Sequence, residues 1–132
     1  GVAEALDLAT RDDAFEEHQI RTHARLELVR RAQRQLRTRL AEPYDGPGLS
    51  AALGAPQRTI QLAFQRTFAM SPSRWLHTAR LHEARRRLLA ADPGRETVVS
   101  VATRCGLVHA GRFSRCYTAL FGEPPSATLR RG

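Results

Sequence analysis

Two stretches of this chain repeat each other at a distance of 53 residues, and a repeat of that kind admits few folds. Ile60, Ala63, Phe64, Thr67 and Phe68 stand at i, i+3, i+4, i+7 and i+8, one stripe of an α-helix. The shift carries them onto Phe113, Cys116, Tyr117, Leu120 and Phe121, the same inward stripe again. It also carries Phe68-Ala69-Met70-Ser71-Pro72 onto Phe121-Gly122-Glu123-Pro124-Pro125, so the exit from each helix recurs as well. Any amphipathic helix supplies one such stripe, but matched exits are much harder to obtain by chance. Each unit reads as a short helix, a glycine turn, a longer helix and a proline-bearing exit. That is the layout of a helix-turn-helix, whose second helix enters the major groove of a duplex.

The rest of the chain fits around these units. Residues 1–17 hold no lasting period and read as an acidic linker, a frayed helical lead-in or the end of a missing N-terminal domain. From His18 to Leu40 the pattern is helical, with Leu26, Val29, Gln33, Leu36 and Leu40 on one stripe and Arg30, Arg31, Arg34 and Arg37 opposite. The run Glu42 to Gly48 makes a loop, a short helix follows from about Leu49 to Leu53, and Pro56 suits the start of the next helix. A long helix is expected from near Ser71 to Asp92-Pro93-Gly94. Its early Trp75, Leu76 and Ala79 and its late Leu81, Ala84, Leu88 and Leu89 point in different directions, as in a rod joining two cores. Thr97 then caps a helix, Gly106 turns, and a last reading helix runs from about Ala110 to Phe121. The predicted class is all-α: a first helix-turn-helix subdomain at 18–70, a connecting helix at 71–91 and a second subdomain at 92–132.

Composition narrows the partners. All 21 basic residues are arginines, against 13 acids, for a net charge of +8. Arginine presents a planar fork that matches phosphate and the guanine edge; a GC-rich genome gives the same bias. Glu4, Asp7, Asp12, Asp13, Glu16 and Glu17 crowd the first 17 residues beside Arg11, which leaves +13 on the remainder. A basic body behind an acidic lead-in suits a polyanion binder, or simply a soluble basic surface. No apolar run approaches the roughly 20 residues needed to cross a bilayer. The basic 18–40 helix could also lie on a membrane surface, but its apolar stripe is thin and lacks aromatics. Cys105 and Cys116 form no metal-binding pattern and fall on core stripes, which favours reduced thiols and a reducing, cytoplasmic compartment. His77 and His82 stand five apart, wrong for a helical metal pair, and all five histidines read as surface or capping residues. There is no nucleophile–base constellation, phosphate-cradling glycine loop or facing carboxylate pair, so neither an enzyme nor a cofactor is expected.

The outward face of the first reading helix carries Arg58, Gln61, Leu62 and Gln65, groups able to bond base edges or touch a thymine methyl. In the second, the equivalent positions are Gly111, Ser114, Arg115 and Thr118, with Arg112 beside them. Gly111 either admits something close, such as a DNA backbone, or merely reflects the geometry of a helix start. Arg74 and the Arg85-Arg86-Arg87 run are candidate phosphate contacts, with Thr118 at the rim; Arg85 to Arg87 equally suit a solvated face pairing with Glu83 and Asp92.

The stretch from Leu49 to Arg131 resembles the tandem helix-turn-helix domain of AraC/XylS transcription regulators. The likeness rests on Gly106-Leu107-Val108-His109-Ala110-Gly111-Arg112-Phe113-Ser114-Arg115, then Tyr117, Leu120-Phe121-Gly122-Glu123, Pro125-Ser126 and Thr128-Leu129-Arg130. It leans toward the ethanolamine-utilisation regulator branch, with Leu76, Arg80 and Ala84 matching the connecting helix. Ala69 stands where the family has glycine, Pro56 where it has a capping serine, and Leu107 where it has an aromatic. The resemblance implies about seven helices and two reading helices set in consecutive major grooves of double-stranded DNA, roughly 34 Å apart. It implies base contacts from Arg58, Gln61, Leu62, Gly111, Arg112, Ser114 and Arg115, and transcriptional activation through RNA polymerase in a bacterial cytoplasm. An effector would act through an N-terminal domain for which residues before His18 leave no room, so a C-terminal fragment is expected. Two other readings stay open. An RNA binder is disfavoured because nearly all aromatics fall on core stripes. A basic helical adaptor would bind nucleic acid without sequence preference and a protein through the 18–40 helix.

Overall fold

The computed structural model describes residues 2–132, the side chains of residues 5–9 excepted, so the Asp7 side chain lies outside the described residues. Seven helices and no strand are found among them: α1 (Val2–Thr38), α2 (Gly46–Leu53), α3 (Gln57–Phe68), α4 (Pro72–Ala90), α5 (Val98–Arg104), α6 (Ala110–Phe121) and α7 (Pro125–Arg131). The start signals are written locally. Asp45 accepts the Gly48 amide at 2.9 Å to open α2, and Ser71 accepts the Arg74 amide at 3.2 Å to open α4. Thr97 and Ser100 cap each other reciprocally at 3.1 Å, so α5 begins where Thr97 predicts.

Two cores form, one per unit. The first joins Val29, Ala32 and Leu36 of α1 to Leu49 and Leu53 of α2, Ile60, Ala63 and Phe64 of α3, and Leu76 of α4. The second joins Leu81, Ala84 and Leu88 of α4 to Val101, Ala102, Cys105 and Leu107, Phe113 and Tyr117 of α6, and Leu129 of α7. The connecting helix therefore gives Leu76 to one core and Leu81 and Leu88 to the other, as a two-faced rod should. Arg80 fastens that rod to the first unit: its Nε donates to the Leu40 carbonyl at 2.7 Å, and its Nη2 donates to the carbonyl of Glu42.

The repeat reaches further than the reading helices. A shift of 52 takes the buried Val29, Ala32 and Leu36 of α1 onto the buried Leu81, Ala84 and Leu88 of α4. Thus α1 stands to the first helix-turn-helix as α4 stands to the second, and each unit is more than a pair of helices.

Several expectations are corrected. The first helix begins at Val2, not at His18, so residues expected as a linker or frayed lead-in form part of one helix about 55 Å long. Alanine, leucine and glutamate there are strong helix formers, and Glu4 in the first turn complements the helix dipole. The short helix starts at Gly46, because Asp45 supplies a cap ahead of Pro47. Pro56 precedes α3 rather than opening it. Leu89 and Leu120, placed on inward stripes, are exposed at 39% and 44%. Leu89 lies off the arc of Leu81, Ala84 and Leu88, and Leu120 lines the groove between α4 and α6. His77, read as a surface residue, is half-buried between the two units.

Candidate nucleic-acid interface

Burial of one stripe on each longer helix decides what the opposite face can do. With Ile60, Ala63 and Phe64 inside, α3 turns Arg58, Gln61, Leu62 and Gln65 to solvent, and all four are exposed. With Phe113 and Tyr117 inside, α6 does the same for Gly111, Arg112, Ser114 and Arg115. A methyl group added at Gly111 would meet nothing within 4 Å. None of the described residues therefore requires glycine there, and any close approach it allows is to something beyond them.

The turns that aim these helices differ in construction. Gly54 ends α2 with φ +64, and the Ser50 hydroxyl holds the turn by donating to the Ala55 carbonyl at 2.6 Å. Gly106 takes φ +80 directly against the α1–α2 loop, where an added Cβ would lie 2.7 Å from the Ala41 carbonyl oxygen. At the helix exits, Gly122 takes φ +76, and Ala69 takes the same left-handed conformation at φ 55, the one non-glycine to do so among the described residues.

The candidate phosphate contacts divide by location. Arg74 is exposed at the start of α4 and lines the groove between the two units with Arg112 and His77. Arg86 and Arg87 lie on the other side of α4 and are engaged by Glu83: Arg86 donates at 2.6 and 2.9 Å, and Arg87 at 2.9 Å. The hydrogen bonds from Arg86, with those from Arg87, pull the Glu83 carboxyl down to about 2. Arg85 lies 5.1 Å over the Phe121 ring. The Thr118 hydroxyl donates back to the Ser114 carbonyl at 2.8 Å. Asp92 pairs instead with Arg95, at 3.8 Å.

The groove between α4 and α6 also holds His77, whose Nε2 is buried without a partner among the described residues. Burial lowers its pKa, and Arg112, Arg80 and Arg74 lower it further, so the imidazole is neutral near pH 7. Nothing in the local sequence flags His77; the signal is its place in the repeat. Cys105 is buried, with its thiol pushed up by burial, and Cys116 is half-buried; both are free thiols. The C-terminal signature has a structural explanation: the buried Tyr117 hydroxyl donates to Thr128 at 2.7 Å, and Thr128 donates to Glu123 at 2.9 Å. Arg131 closes the chain on Glu123 at 2.9 Å.

A helix-turn-helix domain family matches residues 49–131. A solved structure of a probable AraC family transcriptional regulator from Rhodopseudomonas palustris is 35% identical and superposes with a TM-score of 0.72, covering 80% of this chain and 96% of that one. The chain belongs to the AraC family. A transcriptional regulator from Chromobacterium violaceum, 20% identical, shares the fold with a TM-score of 0.73 over 80% of this chain and 92% of its own. The probable thc operon regulatory protein of Rhodococcus erythropolis is 36% identical over 103 residues, 78% of this chain but 31% of that protein. This AraC-family domain thus spans about a third of the length of that curated relative. These relatives do not single out the ethanolamine-utilisation branch. No helix among the described residues is long and apolar enough to cross a membrane.

Proposed function

We propose that this chain is the sequence-specific, double-stranded DNA-binding part of a bacterial transcription regulator, with α3 and α6 reading consecutive major grooves of a promoter or operator. The observation that carries this reading is the duplicated unit: two reading helices with buried inner stripes, turning Arg58, Gln61, Leu62 and Gln65 on one side and Gly111, Arg112, Ser114 and Arg115 on the other to solvent. Arginine and glutamine are the side chains that bond guanine and adenine edges bidentately, and exposed Leu62 suits a thymine methyl. Arg74, beside Arg112 in the inter-unit groove, serves as a phosphate contact. For Arg85, Arg86 and Arg87 the Phe121 ring and the Glu83 carboxylate are the simpler partners, and Thr118 contributes at most its rim position. In the whole regulator, activation through RNA polymerase in the bacterial cytoplasm, and an effector acting through a separate N-terminal domain, extend the same reading.

Selection from a random duplex library of about 25 base pairs, long enough for two successive grooves, tests it. A bipartite motif with half-sites about one helical turn apart is the expected result, and Arg115→Ala should erase one half while keeping the other. Recovery of unselected sequence with a steep salt dependence would replace this reading with that of a non-specific polyanion-binding adaptor.

A further inference from the structure

A second basic feature flanks α3, beside its reading face. Between α1 and α3 lies a groove of about 510 Å³ to which α1 contributes Arg21 and Arg25, and α3 contributes Thr59, Leu62 and Arg66. No ion pair engages Arg21, Arg25 or Arg66 among the described residues. The Nε of Arg25 is buried and has no hydrogen-bond partner among the described residues, while its side chain lines the groove.

Its position around the helix matters. At 3.6 residues per turn, Thr59 and Arg66 stand roughly a quarter turn from the centre of the face formed by Arg58, Gln61, Leu62 and Gln65, and Leu62 borders both. A helix with side chains is about 10–12 Å across and a major groove about 12 Å wide, so a helix seated there has a sugar–phosphate strand along each flank. The groove opens on one of those flanks.

The second unit carries the counterpart. The shift of 52 that superimposes the buried stripes of α1 and α4 takes Arg25 onto His77 and Thr22 onto Arg74. The shift of 53 takes Thr59, Ala63 and Arg66 onto Arg112, Cys116 and Ala119. All of these second-unit residues line the groove of about 930 Å³ between α4 and α6. Arg25 and His77 hold equivalent positions in the two units, and each buries a side-chain nitrogen without a partner. Two grooves at equivalent places, each lined by three arginines and each holding a buried, unpartnered nitrogen, are a repeated feature rather than an accident of one surface.

We infer that these grooves are a matched pair of phosphate-holding sites, and that the one built from Arg21, Arg25 and Arg66 grips the DNA backbone beside α3, bringing α1 into the DNA interface. The inference rests on the proposed reading of duplex DNA by α3 and α6. Arg21 and Arg25 lie upstream of the matched helix-turn-helix region, so this grip lengthens the footprint on the first-unit side.

The test compares the chain with an Arg21→Gln/Arg66→Gln variant, both positions being exposed, on the duplex selected as above. Affinity is measured across a series of salt concentrations. The expected result is an unchanged selected motif with weaker binding and a salt slope shallower by about 0.9 for each phosphate no longer neutralised. Removing Arg25 as well, as Arg25→Gln, should deepen the loss. Trimming the duplex on the first-unit side should weaken the unaltered chain and leave the double variant nearly unaffected. An Arg30→Gln/Arg34→Gln control removes the same charge from the exposed face of α1 outside the groove, and its slope should match that of the unaltered chain. Equal slopes for groove variant and unaltered chain, or an equal loss in the control, would overturn the inference while leaving the bipartite reading intact. Failure of the unaltered chain to enrich any motif would remove the reading and this inference together.

Discussion

The two units have the same plan and are stabilised differently. In the first, the helix-turn-helix turn is open: none of the described residues lies within 4 Å of a Cβ built on Gly54, and a serine hydroxyl holds the loop. In the second, Gly106 is pressed against the backbone of Ala41, so the turn is also a contact with the first unit's loop. The centre of the first core is Phe64, fully buried beside Phe68 and Trp75. Its counterpart Tyr117 is equally buried but spends its hydroxyl on Thr128 and, through it, on Glu123, which ties α7 onto α6. Position 31 in α1 is an arginine that donates to the Leu53 carbonyl at 3.2 Å; its equivalent in α4 is Glu83, which gathers Arg86 and Arg87. A duplicated frame therefore constrains the buried stripe and the turn conformation, and leaves the means of fixing them free.

The contrast can be broken at its strongest point. Gly106→Ala combines left-handed strain with overlap on Ala41 and should cost about 3 kcal/mol, whereas Gly54→Ala should cost about 1 kcal/mol from strain alone. Urea denaturation of the two variants decides it, and equal losses would mean that the approach to Ala41 contributes nothing. Tyr117→Phe makes the second core chemically like the first and should cost about 1–2 kcal/mol, because it removes the donor to a buried threonine hydroxyl. Thermal melts would reveal it, and hydrogen exchange should rise first in α7. Ala69→Gly makes the first exit like the second, and should stabilise by up to about 1 kcal/mol by relieving the left-handed alanine.

The smallest effect concerns Glu83. Its carboxyl is depressed below the ordinary range, so its contribution to stability is fully present above about pH 4.5 and is lost as pH falls toward about 2. The stability difference between the parent chain and Glu83→Gln should therefore shrink across that window. A difference that stays constant with pH would show that the arginines do not act through the ionised carboxylate.

Much of this was legible in the residues because the deciding interactions are local. A 3.6-residue apolar period, a capping threonine, a proline exit and a glycine turn act within a few residues of one another, so the reading helices and their outward faces could be placed from the chain alone. The matched exits at a spacing of 53 fixed the duplicated plan. Only the tertiary structure decided that α1 belongs to the repeat, since its shift of 52 differs from that of α3 and shows itself only when buried positions are compared. It also decided that Arg86 and Arg87 turn to Glu83, that His77 faces three arginines, and that Arg25 opens onto the flank of α3. These outcomes depend on which faces of separate helices meet across the core. Packing settles that, and no short window of sequence contains it.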